Sequence, residues 1–170
     1  MLRQQIYEVF TQFEEQCGEL YLELSVRFAA NPELSWFWVD MAMEEKQHAG
    51  MLYHCSITGM LSNQLPSSEQ IMQLAGLFKR LRQRVRAPGL TVDDAFGIAI
   101  DLESCEINDI YNNLTAKIIG PSYVLRKKIE LASSNHLEKL KTAATRFGVS
   151  PSMTQRLESL LANQQVGLPM

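Results

Sequence analysis

Glutamate and histidine are the residue types of this chain whose spacing promises chemistry. Glu45 and His48 stand three apart in an E-x-x-H step, Glu103 and Glu106 are likewise three apart, and Glu14 and His136 lie far from both pairs. Residues three apart on a helix share a face, so each pair can reach one cavity. Histidine together with carboxylate suits first-row transition metals. The four carboxylates carry four negative charges, which two divalent cations neutralise. Residues this common become ligands only where the fold buries them together, so the elements that carry them decide the matter.

Proline and glycine are sparse and fall between long helical patterns. A first helix is expected from about Leu2 to Ala30. Asn31-Pro32-Glu33 then reads as an N-cap, a first-turn proline and a first-turn acid, opening a second helix that runs to about Thr58 and stops at Gly59. After a loop from Leu61 to Pro66, Ser67 and Glu69 open a shorter crossover helix, about 68–86, which ends before Pro88-Gly89. Thr91 and Asp94 form a T-x-x-D variant of the capping box and start a third long helix, about 91–119. Gly120-Pro121 separates it from a fourth, about 121–148, and Ser150-Pro151 opens a short C-terminal helix, about 151–163. No segment alternates in the manner of a strand. The expected fold is all-α and a single domain: a ferritin-like antiparallel four-helix bundle whose second and third helices are joined by a long crossover.

Inward positions in such a bundle recur in steps of three and four. The stripes traced this way are Tyr7, Phe10, Glu14, Cys17, Tyr21, Leu24 and Phe28; Leu34, Trp38, Met41, Glu45, His48, Leu52 and Cys55; Phe96, Ala99, Glu103, Glu106 and Ile110; and Ile129, Ser133, His136, Leu140, Ala143 and Phe147. Each is apolar at its ends and polar near its middle. A buried, unpaired carboxylate costs several kcal/mol or must take up a proton, and no lysine or arginine shares these stripes. Metal would resolve the conflict. His54 is off the stripe, and Glu15, Glu19 and Glu44 read as solvated.

Composition narrows the alternatives. The chain has 170 residues, 46% apolar and 21% charged, with a formal charge of −3 that gives no reason to expect nucleic-acid or membrane binding. No apolar run approaches the roughly 20 residues that span a bilayer. The first residues mix charge with apolar positions at helical spacing, unlike a signal peptide. Cys17, Cys55 and Cys105 are odd in number and never form a C-x-x-C pair, so a disulfide framework or a cysteine zinc site is not expected and a cytoplasmic location is. In the crossover helix, Ile71, Leu74, Phe78, Leu81 and Val85 form a buried stripe that leaves the arginines of the segment 79–86 as an exposed basic face.

Residues 14–52, EEQCGELYLELSVRFAANPELSWFWVDMAMEEKQHAGML, resemble the rubrerythrin branch of the ferritin-like superfamily: a carboxylate seven residues before a tyrosine, a short turn, then an E-x-x-H-A helix. Residues 103–111, ESCEINDIY, resemble its third helix, and residues 129–140, IELASSNHLEKL, its fourth. The resemblance implies a pair of iron ions. Glu14 would be a terminal carboxylate, Glu45 a bridge, His48 its neighbouring ligand, Glu103 a second bridging or terminal carboxylate, His136 the fourth-helix histidine, and Glu106 the extra third-helix carboxylate that swings on and off a metal. It also implies a homodimer, dioxygen or hydrogen peroxide as substrate, and an external electron donor, since no four-cysteine rubredoxin site can be built from this chain.

The sequence departs from that pattern once. The fourth helix has Ser133 where a glutamate should precede His136, and Glu130 lies about 120° round the helix from His136. Either Glu106 compensates, or one metal position is weak, or the site is mononuclear or vestigial. The expected function is iron oxidation or the reduction of peroxide or dioxygen. The alternative is a non-enzymatic bundle that keeps the fold as a binding or interaction module.

Overall fold

A computed structural model describes residues 2–105, 107–115 and 136–166. No strand occurs among them. The helices are α1 (Arg3–Arg27), α2 (Pro32–Thr58), α3 (Ser68–Arg86), α4 (Val92–Glu103), α5 (Ile107–Thr115), α6 (residues 136–146) and α7 (Pro151–Val166).

Local chemistry sets most of their ends. Asn31 Oδ1 accepts from the Leu34 amide at 3.2 Å and Pro32 opens α2, while Gly59, at φ 71°, takes the left-handed position that stops it. Ser67 caps α3 through a reciprocal box with Gln70, and Thr91 caps α4 through one with Asp94. Each such cap contributes about 1 kcal/mol.

Three expectations need correction. The first helix ends at Arg27 rather than about Ala30, and the last extends to Val166 rather than about 163. More consequentially, the helix expected over 91–119 is interrupted after Glu103. The Ser104 amide bonds to the Ile100 carbonyl at 2.9 Å, but the Cys105 amide turns back to Leu102, three residues earlier, at 3.2 Å. That tighter turn ends α4. Glu106, Gly120, Pro121, Ile129, Glu130 and Ser133 lie outside the described residues.

α1 and α2 run antiparallel. Ser35 Oγ donates to the Ser25 carbonyl beside the turn, and further along Gly18 faces Ala42 so closely that a Cβ would sit 3.2 Å from its carbonyl oxygen. α4 and α5 follow the direction of α2, with Phe96 against Trp38 at one end and Tyr111 against His48 at the other. α6 runs opposite to α2, from His136 beside Glu45 to Phe147 beside Phe37. α3 lies along α1 in the same direction: Phe13 stacks on Phe78, and the arginines of its basic face reach across, Arg82 to Glu19 at 2.9 Å and Arg86 to Glu23 at 2.7 Å. α7 reaches α4 and α3 together, because Asp101 accepts from both Arg84 and Arg156.

The core is apolar at its two ends. Tyr21, Trp38, Phe37 and Phe96 stack at one, and Tyr7, Phe10 and Leu114 close the other. Each fully buried large side chain contributes about 1.5–3 kcal/mol. Between the two ends the interior turns polar. No described helix is long and apolar enough to cross a membrane.

Candidate metal centre

Five of the six expected ligands meet at that polar mid-level. Glu14 from α1, Glu45 and His48 from α2, Glu103 from the last residue of α4 and His136 from the first described residue of α6 are each no more than 6% exposed. Glu106 is outside the described residues. His54 is exposed, as are Glu15 and Glu19.

Glu45 sits at the centre. Its Oε2 lies 3.0 Å from His48 Nδ1, and its Oε1 lies 3.3 Å from His136 Nδ1. One carboxylate therefore presents each oxygen to a different imidazole. A further carboxylate flanks each histidine on the same nitrogen: Glu14 Oε2 is 3.8 Å from His48 Nδ1, and Glu103 Oε1 is 3.2 Å from His136 Nδ1. The result is two half-sites, Glu14–His48 and Glu103–His136, that share Glu45. Tyr21 donates to Glu103 Oε1 at 2.8 Å and fixes that carboxylate, while the Tyr111 ring packs 4.7 Å from His48.

Glu44 corrects the sequence reading. It is half-buried rather than solvated, with Oε2 2.8 Å from His136 Nε2 and Oε1 against Lys139 Nζ. The Nε2 contact is close but off the direction of a hydrogen bond. Burial works to raise the Glu44 pKa, yet His136 and Lys139 outweigh it and hold the carboxyl down to about 2. No stripe traced along α2 alone could reveal this, because the partners of Glu44 come from α6.

The electrostatics of this cluster of carboxylates and imidazoles are strained. Burial pushes Glu14 well above the usual carboxylate range, and the neighbouring Glu45 and Glu103 push the same way. Burial disfavours the charged form of His136, but Glu103, Glu44 and Glu45 overcome it and raise the imidazole to about 11. Burial, then Glu103, raises the Tyr21 phenol well above its ordinary value, so it remains a donor.

The donor set fits a metal. Among the described residues Glu14 Oε1 and His48 Nε2 are buried here without a hydrogen-bond partner, while Glu44 Oε2 and His136 Nε2 face each other at 2.8 Å. Leaving a buried polar atom unsatisfied costs about 1–3 kcal/mol, so the Glu14 and His48 atoms are places where a cation would be stabilising. Ligand atoms of Glu45, His48 and His136 lie within 4.8 Å of one another, and so do those of Glu14, Cys17 and Glu45. Surface grooves between α1 and α3 and between α1 and α2 are lined by none of these residues except through their outer neighbours, such as Glu15, Glu19 and Lys46.

Comparison with known proteins yields no match: no family model fits the chain, and no characterised protein or solved structure is significantly similar to it.

Proposed function

We propose that this chain is a ferritin-like di-metal carboxylate protein of rubrerythrin type, and that it oxidises iron or reduces peroxide or dioxygen at the buried Glu/His centre. The observation that carries the reading is Glu45, a single buried carboxylate whose two oxygens face two different histidines. The directions of the helices support the fold assignment: α1 opposes α2, α4–α5 follow α2, α6 opposes it, and α3 provides the crossover.

Glu14, His48 and Glu45 would hold one ion, and Glu103, His136 and Glu45 the other. Iron in such a site supplies one-electron chemistry toward dioxygen or peroxide. The chain's own residues do the rest. Glu45 fixes the spacing between the half-sites. Tyr21 holds Glu103 Oε1 through its hydroxyl proton. Glu44, itself anchored by Lys139, faces the outer nitrogen of His136 and orients that ring. The apolar ends of the core keep bulk water from the centre. An external donor, with dioxygen or hydrogen peroxide as acceptor, completes the reaction, and the chain works as a homodimer in the cytoplasm.

Ser133, in place of a glutamate, favours a second reading in which the bundle holds one ion or none and acts as a binding module. Metal analysis of protein purified without chelator separates the two. The di-iron reading expects about two equivalents of iron and turnover of peroxide with an artificial reductant. Metal-free protein that takes up no iron on reconstitution would exclude it.

A further inference from the structure

Among the described residues, Cys17 belongs to the polar mid-level but is used by neither half-site. It stands one turn beyond Glu14 on the inward stripe of α1 and is 3% exposed. Its Sγ lies within 4.8 Å of a Glu14 oxygen and a Glu45 oxygen, which are as close to each other. In the same cluster Glu14 Oε1 is buried without a hydrogen-bond partner, in a residue only 2% exposed. The buried Cys55, by contrast, joins no such group among the described residues.

We propose that Cys17 is a metal ligand: its thiolate joins Glu14 and Glu45 around one cation, making this a mixed sulfur, oxygen and nitrogen centre. The inference rests on the di-metal reading above. A cation about 2.3 Å from sulfur and about 2.0–2.2 Å from oxygen fits among atoms so placed after a small side-chain adjustment. On binding, the S–H bond breaks, a sulfur–metal bond forms and the proton passes to solvent. A soft sulfur donor also shifts preference toward thiophilic ions such as cobalt and zinc and away from magnesium or calcium.

Cobalt(II) added to the metal-free full chain tests this without reference to turnover. The parent should develop an intense near-ultraviolet sulfur-to-cobalt charge-transfer band, and X-ray absorption at the cobalt edge should find a sulfur neighbour at about 2.3 Å. Cys17→Ser should abolish the band and raise the cobalt Kd at the tighter position at least about tenfold, while Cys55→Ser and Cys105→Ser keep both. The edge measurement needs only the parent, so a variant that folds poorly leaves the test intact. Cobalt bound by the parent with no sulfur band and no sulfur neighbour overturns the role of Cys17 and leaves the Glu/His centre standing. A parent that binds no cobalt overturns both.

Discussion

The two half-sites are built in opposite ways. Glu14 and His48 come from one helical hairpin, on uninterrupted helices joined by four residues and locked by the Asn31 cap and the close approach at Gly18. Glu103 and His136 come from separate elements, one at the last residue of α4 and the other where the description of α6 begins. In the first half-site Glu14 Oε1 and His48 Nε2 have no hydrogen-bond partner among the described residues. The second is braced by Tyr21 on Glu103 and by Glu44 and Lys139 around His136. A carboxylate on a continuous helix is positioned by backbone; one at a helix end, as Glu103 is, needs side chains to hold it.

Glu45 belongs to both halves, so its removal should have the largest effect. Glu45→Ala is expected to weaken both metals by at least about a hundredfold, whereas His48→Ala and His136→Ala should each cost one equivalent. The His136 side should be the weaker, since residue 133, three before it in the sequence, is a serine. Calorimetric titration with ferrous iron or cobalt reads both stoichiometry and order, and loss of only one equivalent in Glu45→Ala would break the shared-carboxylate geometry.

Glu44→Ala should act on one half alone. Orienting partners of a ligand histidine are worth roughly 10–100-fold in affinity, so the His136 position should weaken by about tenfold and the His48 position hardly at all. An effect equal to that of Glu45→Ala would mean that Glu44, not Glu45, is the inward ligand.

Stability of the metal-stripped protein should fall as pH rises. Glu14 has a folded pKa above its unfolded value of about 4.3, so the folded state keeps a proton that the unfolded chain releases, and stability drops as pH climbs from that value toward the folded pKa. His136, up to about 11 when folded against an ordinary value of about 6.5, contributes stability that is fully present below the latter and lost as pH rises toward the former. Both act in one direction. Melting by circular dichroism should show Tm lower by roughly 3 °C or more at about pH 9 than at about pH 6, and bound metal should flatten or reverse the slope. An unchanged or rising Tm in the stripped protein would contradict the burial of these charges.

The smallest change should come from Tyr21→Phe. It deletes one hydroxyl that donates to Glu103. A loss of about 1–2 kcal/mol in the metal-free protein is expected, with the Glu14–His48 half unaffected in a titration. Equal weakening of both halves would remove the distinction between a backbone-positioned and a side-chain-braced site.

Much of this architecture was legible because it depends on neighbours in sequence. Asn31-Pro32, Gly59, Ser67 and the Thr91–Asp94 box are local signals, and the structure uses all of them as helix ends. The stripes of α1 and α2 place Glu14, Glu45 and His48 inward because their helices run unbroken through the mid-level. What escaped depends on distance. The break after Glu103 carries neither proline nor glycine, only a tightened turn at Ser104 and Cys105 whose backbone bonds no periodicity announces. Glu44 sits next to an inward residue and therefore reads as outward by helical geometry. Its half-burial arises because Lys139 and His136 close over it, and a one-helix projection contains neither.

Tyr7 has a consequence for when parts of the molecule open. Its hydroxyl donates to the Leu114 carbonyl at 2.6 Å and accepts from the Ser62 amide at 2.7 Å, joining α1 to the end of α5 and to the loop that leaves α2. Ser62 lies outside any helix, where backbone amides ordinarily exchange their hydrogen with solvent readily, yet it is 5% exposed and tied to a phenol that is wholly buried. Withdrawal of Tyr7 would free that amide and release Leu114 together. The loop between α2 and α3 is thus coupled to the core: its hydrogen-exchange protection should follow the opening of the α1–α5 contact as one cooperative unit, rather than the free motion of a surface connection.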